Sequence, residues 1–207
     1  MAIESPGHEP AYSGGDVVTW FAGTLIVACL ALGPVALAYP QRGDGLAPAV
    51  LAEINWVRAH PAEYAEQLRD APPTRATEEA IGYLQRRAPA GPLQFSAPLG
   101  SSAADHAYDE GAHAAFTHTG SDGSTAGERM HRAGVWAGML AEEMSAGESD
   151  AADVVRQLIV DEDVPGRGHR NDLMDPFLKL AGVGCASHPV YGVVCVIDLA
   201  SSPPPRD

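Results

Sequence analysis

The chain has 207 residues, 45% of them hydrophobic and 19% charged, which is enough apolar material to bury one core of ordinary size. Its formal net charge of -14 comes from 27 acids set against 13 basic side chains, and Lys179 is the sole lysine. Phosphate backbones and anionic head groups are bound by clustered cations, so this balance argues against nucleic acid and against adsorption to acidic membranes.

Residues 17–38 (VVTWFAGTLIVACLALGPVALA) form an apolar run without a charge. A run of at least ~18 such residues can span a bilayer, and this one exceeds the usual ~7–15 of a signal peptide's apolar region. It ends in Ala36-Leu37-Ala38, the small-x-small pattern that signal peptidases cut. The residues before it hold Glu4, Glu9 and Asp16 with no Lys or Arg, so the positive charge that orients a span is missing. Residues 1–38 thus read as a signal peptide or an N-terminal membrane anchor. Either exports the rest of the chain to the periplasm, the cell surface or the medium, and membrane contact is expected only through this segment if it is retained. Cys29 sits in a loose lipobox, Ile26-Val27-Ala28-Cys29, but the largely apolar residues after it do not turn polar as a lipoprotein's do.

Residues 39–47 (YPQRGDGLA) are a Pro/Gly-rich linker, and the domain is expected over residues 48–200. Residues 48–68 carry Val50, Leu51, Ile54, Trp56, Val57 and Tyr64 at helical spacing, with Pro61 starting a second helical turn. Residues 77–87 form a short helix capped by Thr77, residues 92–95 are extended, and Ser96 opens an Ala-rich helix over 99–115. Phe116-Thr117-His118-Thr119-Gly120-Ser121-Asp122-Gly123-Ser124 is a tight polar turn. A helix over 126–133 is closed by Gly134, and residues 140–146 form a strand. Ser149 or Asp150 caps a helix running to Asp163, whose Val154, Val155, Leu158 and Ile159 make an apolar stripe. Residues 165–176 form a loop, two closing strands follow, and residues 201–207 are a Pro-rich tail.

Those last strands, AGVGCASHPVYGVVCVIDLA, read as a hairpin turning at residues 188–192. Pairing position 185 with 195 puts Cys185 and Cys195 on one face, within reach of a disulfide, a bond that persists outside the reducing cytosol. The alternative is two buried free thiols. Helices flanking late, hairpin-linked strands imply an α+β fold, a three-layer α–β–α sandwich around a small, mainly antiparallel sheet.

Four segments in this order, LAEINWVRAHPAEYA, FTHTGSDGS, AEEMSAG and GRGHRNDLM, lead into that hairpin. Together they resemble the cysteine-rich secretory protein, antigen 5 and pathogenesis-related (CAP) family over residues 51–200. The resemblance implies a cleft holding two His and two acids, which fall at His118, Glu142, Asp161 and His169. Two departures stand out. Ala141-Glu142-Glu143 replaces the family's Gly-Glu-Asn, and Asp161 stands where Glu is common, with Glu162 in reserve.

Neutral imidazoles and carboxylates are donors that suit Zn²⁺ or another divalent cation. Alternation along a strand implies that Glu142 or Glu143 faces the cleft, not both, with Met144 on the Glu142 side. His106 and His113, seven apart on one helix, read as packing or surface residues. A His–acid pair can also serve as general base and acid, but neither GxSxG nor HExxH occurs to supply a nucleophile or a zinc helix. The resemblance therefore implies an exported binding module for a lipid, sterol or peptide. The alternatives are a metal-assisted hydrolase using the same cleft, and a structural envelope protein whose cleft is vestigial.

Overall fold

The computed structural model describes residues 45–202, so the apolar run 17–38, linker residues 39–44 and residues 203–207 lie outside it. Seven α-helices and four strands follow in the order α1 (Leu46–Ala59), α2 (Pro61–Gln67), α3 (Arg75–Gln85), β1 (Gln94–Phe95), α4 (Ala97–His113), α5 (Ala126–Arg132), β2 (Leu140–Ala146), α6 (Ala151–Val160), α7 (Gly168–Leu173), β3 (Leu178–His188) and β4 (Gly192–Ser201). The sheet runs β1-β3-β4-β2. β3 pairs antiparallel with β4 and β4 with β2, while the two-residue β1 lies parallel to β3.

Strand β4 shows why the molecule has three layers. Val193, Cys195, Ile197 and Leu199 point to one face and join a core with α1, α2, α3, α6 and α7. Val194, Val196 and Ala200 point to the other, where α4 and α5 bring Ala103, Ala107, Leu99 and Met130. A strand buried on both faces reads as a continuous apolar run, as VVCVI does here. Cys185 and Cys195 stand opposite one another in the β3–β4 register and are joined as a disulfide.

Helix α4 lies against β3 without intervening side chains. A Cβ on Gly182 would fall 2.0 Å from the Gly100 nitrogen, and one on Gly184 would fall 2.3 Å from the Ala104 Cα. One on Gly111 would meet the Ser187 carbonyl oxygen at 2.3 Å. Glycine on both sides of this contact is what lets the helix and strand backbones touch.

Several boundaries differ from the sequence reading for local reasons. The first helix starts at Leu46, inside the expected linker, and breaks at His60, where φ -129 and ψ 50 leave the helical region before Pro61 restarts it. Thr74, not Thr77, caps α3, its Oγ1 accepting from the Thr77 N–H at 3.2 Å while Thr77 is buried. Helix α4 begins two residues early because Pro98 suits its first turn, and it stops at left-handed Ala114. Helix α6 ends at Val160 rather than Asp163, because Asp161 turns left-handed at φ 57. The expected loop 165–176 contains α7. Strand β2 has the expected bounds, and α5 is sealed by a reciprocal capping box between Thr125 and Glu128.

Gly184→Ala is expected to cost about 3 kcal/mol, because neither backbone can yield without shifting a whole element. Gly138→Ala, where the new Cβ meets nothing within 4 Å, should stay within about 0.5 kcal/mol of wild type. Urea melts of the two variants check this, and equal midpoints would remove the close-contact argument.

Candidate functional site

Strand β2 is an edge strand, and its two consecutive acids point to opposite faces of the sheet. Each finds a histidine. Glu142 Oε1 lies 2.9 Å from His118 Nδ1, and Glu143 Oε2 lies 3.7 Å from His169 Nε2. The expectation that only one of the two acids serves the cleft is therefore corrected: at an edge both faces of the strand are within reach of flanking loops. Glu143, weighed from the sequence only as an alternative to Glu142, stands beside the second histidine.

His118 is held from below by α4. The backbone N–H of Thr117 donates to Glu110 Oε2 at 2.8 Å, and the Thr117 carbonyl lies 3.0 Å from His106 Nε2. Two buried α4 side chains thus grip both backbone polar groups of the residue preceding His118, whose own side chain stays 56% exposed. Glu142 is shared with Arg129, whose Nη2 donates to Oε2 at 2.6 Å and to the His118 carbonyl at 3.1 Å. Burial alone would push the Glu142 carboxyl up, but hydrogen bonds from His118 and Arg129 and the Arg129 charge outweigh it and hold the group below its usual value. The hydrogen bond to Glu142 in turn raises His118 above its ordinary 6.5.

On the other face Asp161 Oδ1 lies 2.6 Å from His169 Nδ1 and Asp161 Oδ2 accepts from the Arg170 N–H at 3.4 Å. Asp161 occupies the C-cap of α6, and His169 lies in the first turn of α7. Arg170, fully enclosed, donates to the Ile159 carbonyl at 2.5 Å, to Val160 at 2.8 Å and to Ala76 at 3.3 Å. It satisfies carbonyls that the end of α6 leaves free, which ties α7 to α6 and keeps Asp161 beside His169. Arg167 adds bonds to the Asp161 carbonyl and to Glu79. Burial, with Asp172, Asp161 and Glu142 nearby, pushes Glu143 up to about 9. Glu162, the reserve acid, is occupied elsewhere, accepting from Thr74 Oγ1 at 2.5 Å.

The four expected ligands therefore stand as two His–acid pairs, His118–Glu142 and His169–Asp161, joined through the adjacent residues of β2. Among the described residues no three His, Cys, Asp or Glu side chains come together in a way that could hold a metal ion. The second oxygen of Glu142 already faces a guanidinium. This arrangement does not fit one divalent ion held by all four residues, and no chemical step is derived through one. In both pairs Nδ1 meets a carboxylate, so a neutral ring carries its proton on Nδ1 and keeps Nε2 as the basic atom. That suits proton transfer or the binding of a hydrogen-bond donor.

A groove of ≈ 440 Å³ runs past the β2 edge to His169 and Asp161. Met144, Ala146, Leu158, Val160, Val164 and Phe116 give it an apolar lining, and Glu148, Asp153, Arg156 and Glu162 also line it.

An α–β–α sandwich pinned by a hairpin disulfide, with paired His and acids along an edge strand, defines the class of protein. Residues 51–198 match the cysteine-rich secretory protein (CAP) family, and the chain belongs to it. No curated protein matches the sequence significantly. Among solved structures the chain is similar to an extracellular SCP-domain protein from Bacillus anthracis (19% identity, TM-score 0.48, 64% of this chain and 45% of that one). It is also similar to an outer surface protein from Borrelia burgdorferi (16%, 0.48, 73% and 94%). A cysteine-rich secretory protein from Staphylococcus aureus is a third (13%, 0.45, 76% and 40%). The chain thus spans less than half the length of the Bacillus and Staphylococcus proteins.

Two outcomes test the electrostatics. In an NMR titration of the ring protons, His118 should titrate above 6.5 and fall back towards it in Glu142→Gln. The sign follows: the pair's contribution is complete below 6.5 and is lost as pH rises through the folded value. Glu143 has its folded value raised from 4.5 to about 9, so its contribution is complete below 4.5 and declines as pH climbs towards 9. Glu143→Gln should therefore gain stability over wild type progressively across that interval. A pH-independent difference between the two melting curves would contradict the burial argument.

Proposed function

We propose that this chain is an exported CAP-domain binding module that takes the apolar part of a lipid, sterol or peptide into the groove beside β2 and sets its polar end against His169 and Asp161. The observation that carries this reading is the apolar groove ending at a His–acid pair. Pockets for small ligands are usually concave, mostly apolar and furnished with a few fixed polar groups. Export is supported by the Cys185–Cys195 disulfide, which belongs to an oxidising compartment, and by the apolar run 17–38, a cleaved signal or a retained anchor. No helix among the described residues is long and apolar enough to cross a membrane.

The hydrolase reading would use His118 or His169 as a base on water, with a metal supplied at His118, Glu142, Asp161 and His169. It is the weaker one, because those residues stand as two separate pairs and Arg129 occupies Glu142.

The experiment is a displacement assay in which a fluorescent fatty acid, cholesterol and an apolar peptide compete for the protein, alongside Val160→Glu and Phe116→Ala. At least one ligand should bind, and each substitution should weaken it about tenfold. Ligands that bind both variants unchanged, or no binding at all, defeat the groove reading. Calorimetry with Zn²⁺ on wild type, His118→Ala and His169→Ala runs in parallel. Uptake lost in both variants, together with chelator-sensitive cleavage of labelled peptides, would replace the binding reading by the hydrolase one.

A further inference from the structure

The groove beside β2 joins its apolar lining to a set of charges that do not balance. Four carboxylates line it, Glu148, Asp153, Asp161 and Glu162, against the guanidinium of Arg156 and the imidazole of His169. Much of this is settled internally. Arg156 Nη2 lies 2.8 Å from Asp153 Oδ1, and Asp161 is buried against His169. Glu148 and Glu162 remain. Among the described residues neither forms an ion pair, and Glu162 accepts only from the neutral Thr74 hydroxyl at 2.5 Å. Both side chains belong to residues that solvent reaches, Glu148 half-buried and Glu162 exposed, so a bound molecule can meet them.

Their placement follows from α6, which runs along the groove with Gln157 and Val160 in its lining. Glu148 precedes this helix and Glu162 follows it. Ten residues of α-helix measure about 15 Å, so the two unpaired acids flank a stretch of that order.

Charge then discriminates among apolar occupants. A fatty acid or an anionic phospholipid brings a like charge to both glutamates, which is unfavourable even when salt screens part of it. A sterol displaces water from them and offers nothing in its place, and a carboxylate desolvated without a partner is costly. A cation at each end answers both objections, and the net charge of -14 draws cationic partners from a distance. Two cations with apolar material between them describe a peptide more closely than any single-headed amphiphile. In an extended chain alternate side chains share a face, and residues i and i+4 lie about 13 Å apart.

We propose that the groove takes an extended basic–apolar peptide, Lys/Arg-x-apolar-x-Lys/Arg, whose central side chain enters the apolar lining while its two cations pair with Glu148 and Glu162. The proposal rests on the groove reading and narrows it to one chemical class.

The test measures fluorescence anisotropy on the full chain with labelled Gly-Lys-Ala-Leu-Ala-Lys-Gly, its counterpart with Glu in place of Lys, and a fluorescent fatty acid. The Lys peptide should bind at least about tenfold more tightly than the Glu peptide. Glu148→Gln and Glu162→Gln keep the side-chain shape, and each should weaken the Lys peptide about threefold, the double variant about tenfold. Asp105→Asn removes the same charge from an exposed position of α4, in the layer across the sheet, and should leave binding unchanged. Equal affinity for the two peptides overturns the proposal. So does a Lys peptide indifferent to either glutamate, or a loss in Asp105→Asn as large as in the groove variants, which would reduce the effect to net charge. If the fatty acid binds and neither peptide does, the groove reading stands and the peptide proposal falls. If no probe binds, both fall.

Discussion

Backbone-to-backbone contact between α4 and β3 is the constraint from which the site on the α4 face follows. Gly182 and Gly184 remove the side chains that would hold the helix away, and Gly111 does so in its last turn. With the helix so close, its inward residues lie directly over the next strands of the sheet. Ser102, His106 and Glu110 are buried there, above a cross-strand row formed by Gly182, Asp198 and Glu142. Burial and the nearby Glu142 raise Asp198 to about 7, a sign of how little solvent reaches the space under the helix. A helix seated a side chain further out would leave Glu110 and His106 unable to hold Thr117, and His118 would lose its fixed approach to Glu142.

Strand β2 divides the chemistry as α4 supports it. Because it is an edge strand, nothing in the sheet covers its outer side, and alternate residues serve two different layers. Glu142 looks into the α4 layer, where Arg129 keeps it ionised and His118 shares it. Glu143 looks into the α6–α7 layer, where burial and neighbouring acids keep it neutral at physiological pH. Adjacent carboxyls in opposite charge states result from unequal surroundings, as expected when burial and partner charges compete. The consequence is that two adjacent carboxyls serve separate histidines rather than a single four-ligand cluster.

Much of this was legible in the sequence because it depends on short-range pattern. The bounds of β2 and the Cys hairpin follow from strand-forming residues and turn residues, while the set His118, Glu142, Asp161 and His169 follows from the family resemblance, which leaves open how the four divide into pairs. Thr74 escaped because two threonines compete to cap one helix, and only backbone geometry decides between them. Glu143 escaped because the alternation rule, correct for the strand, says nothing about whether the second face is also open. Arg129 and His106 escaped for another reason. Their roles are set by what lies across the α4–sheet interface, and their helical spacing is that of ordinary amphipathic residues.

The two pairs are also held by different kinds of structure. His118 and Glu142 are fixed by packed elements, a helix lying on a sheet and an enclosed arginine. Asp161 and His169 are carried by the short connection between α6 and α7, in which Asp161, Asp163 and Arg167 all adopt positive φ without being glycine. Each such residue costs of order 1 kcal/mol, and the segment keeps its shape because Arg170 and Arg167 bind its carbonyls from either side. The arginine of the Gly-His-Arg segment is thus the physical reason that its histidine reaches an acid eight positions earlier. The groove borders this second pair, so the half of the candidate site beside the groove is the half whose backbone conformation is maintained by side-chain hydrogen bonds rather than by close packing.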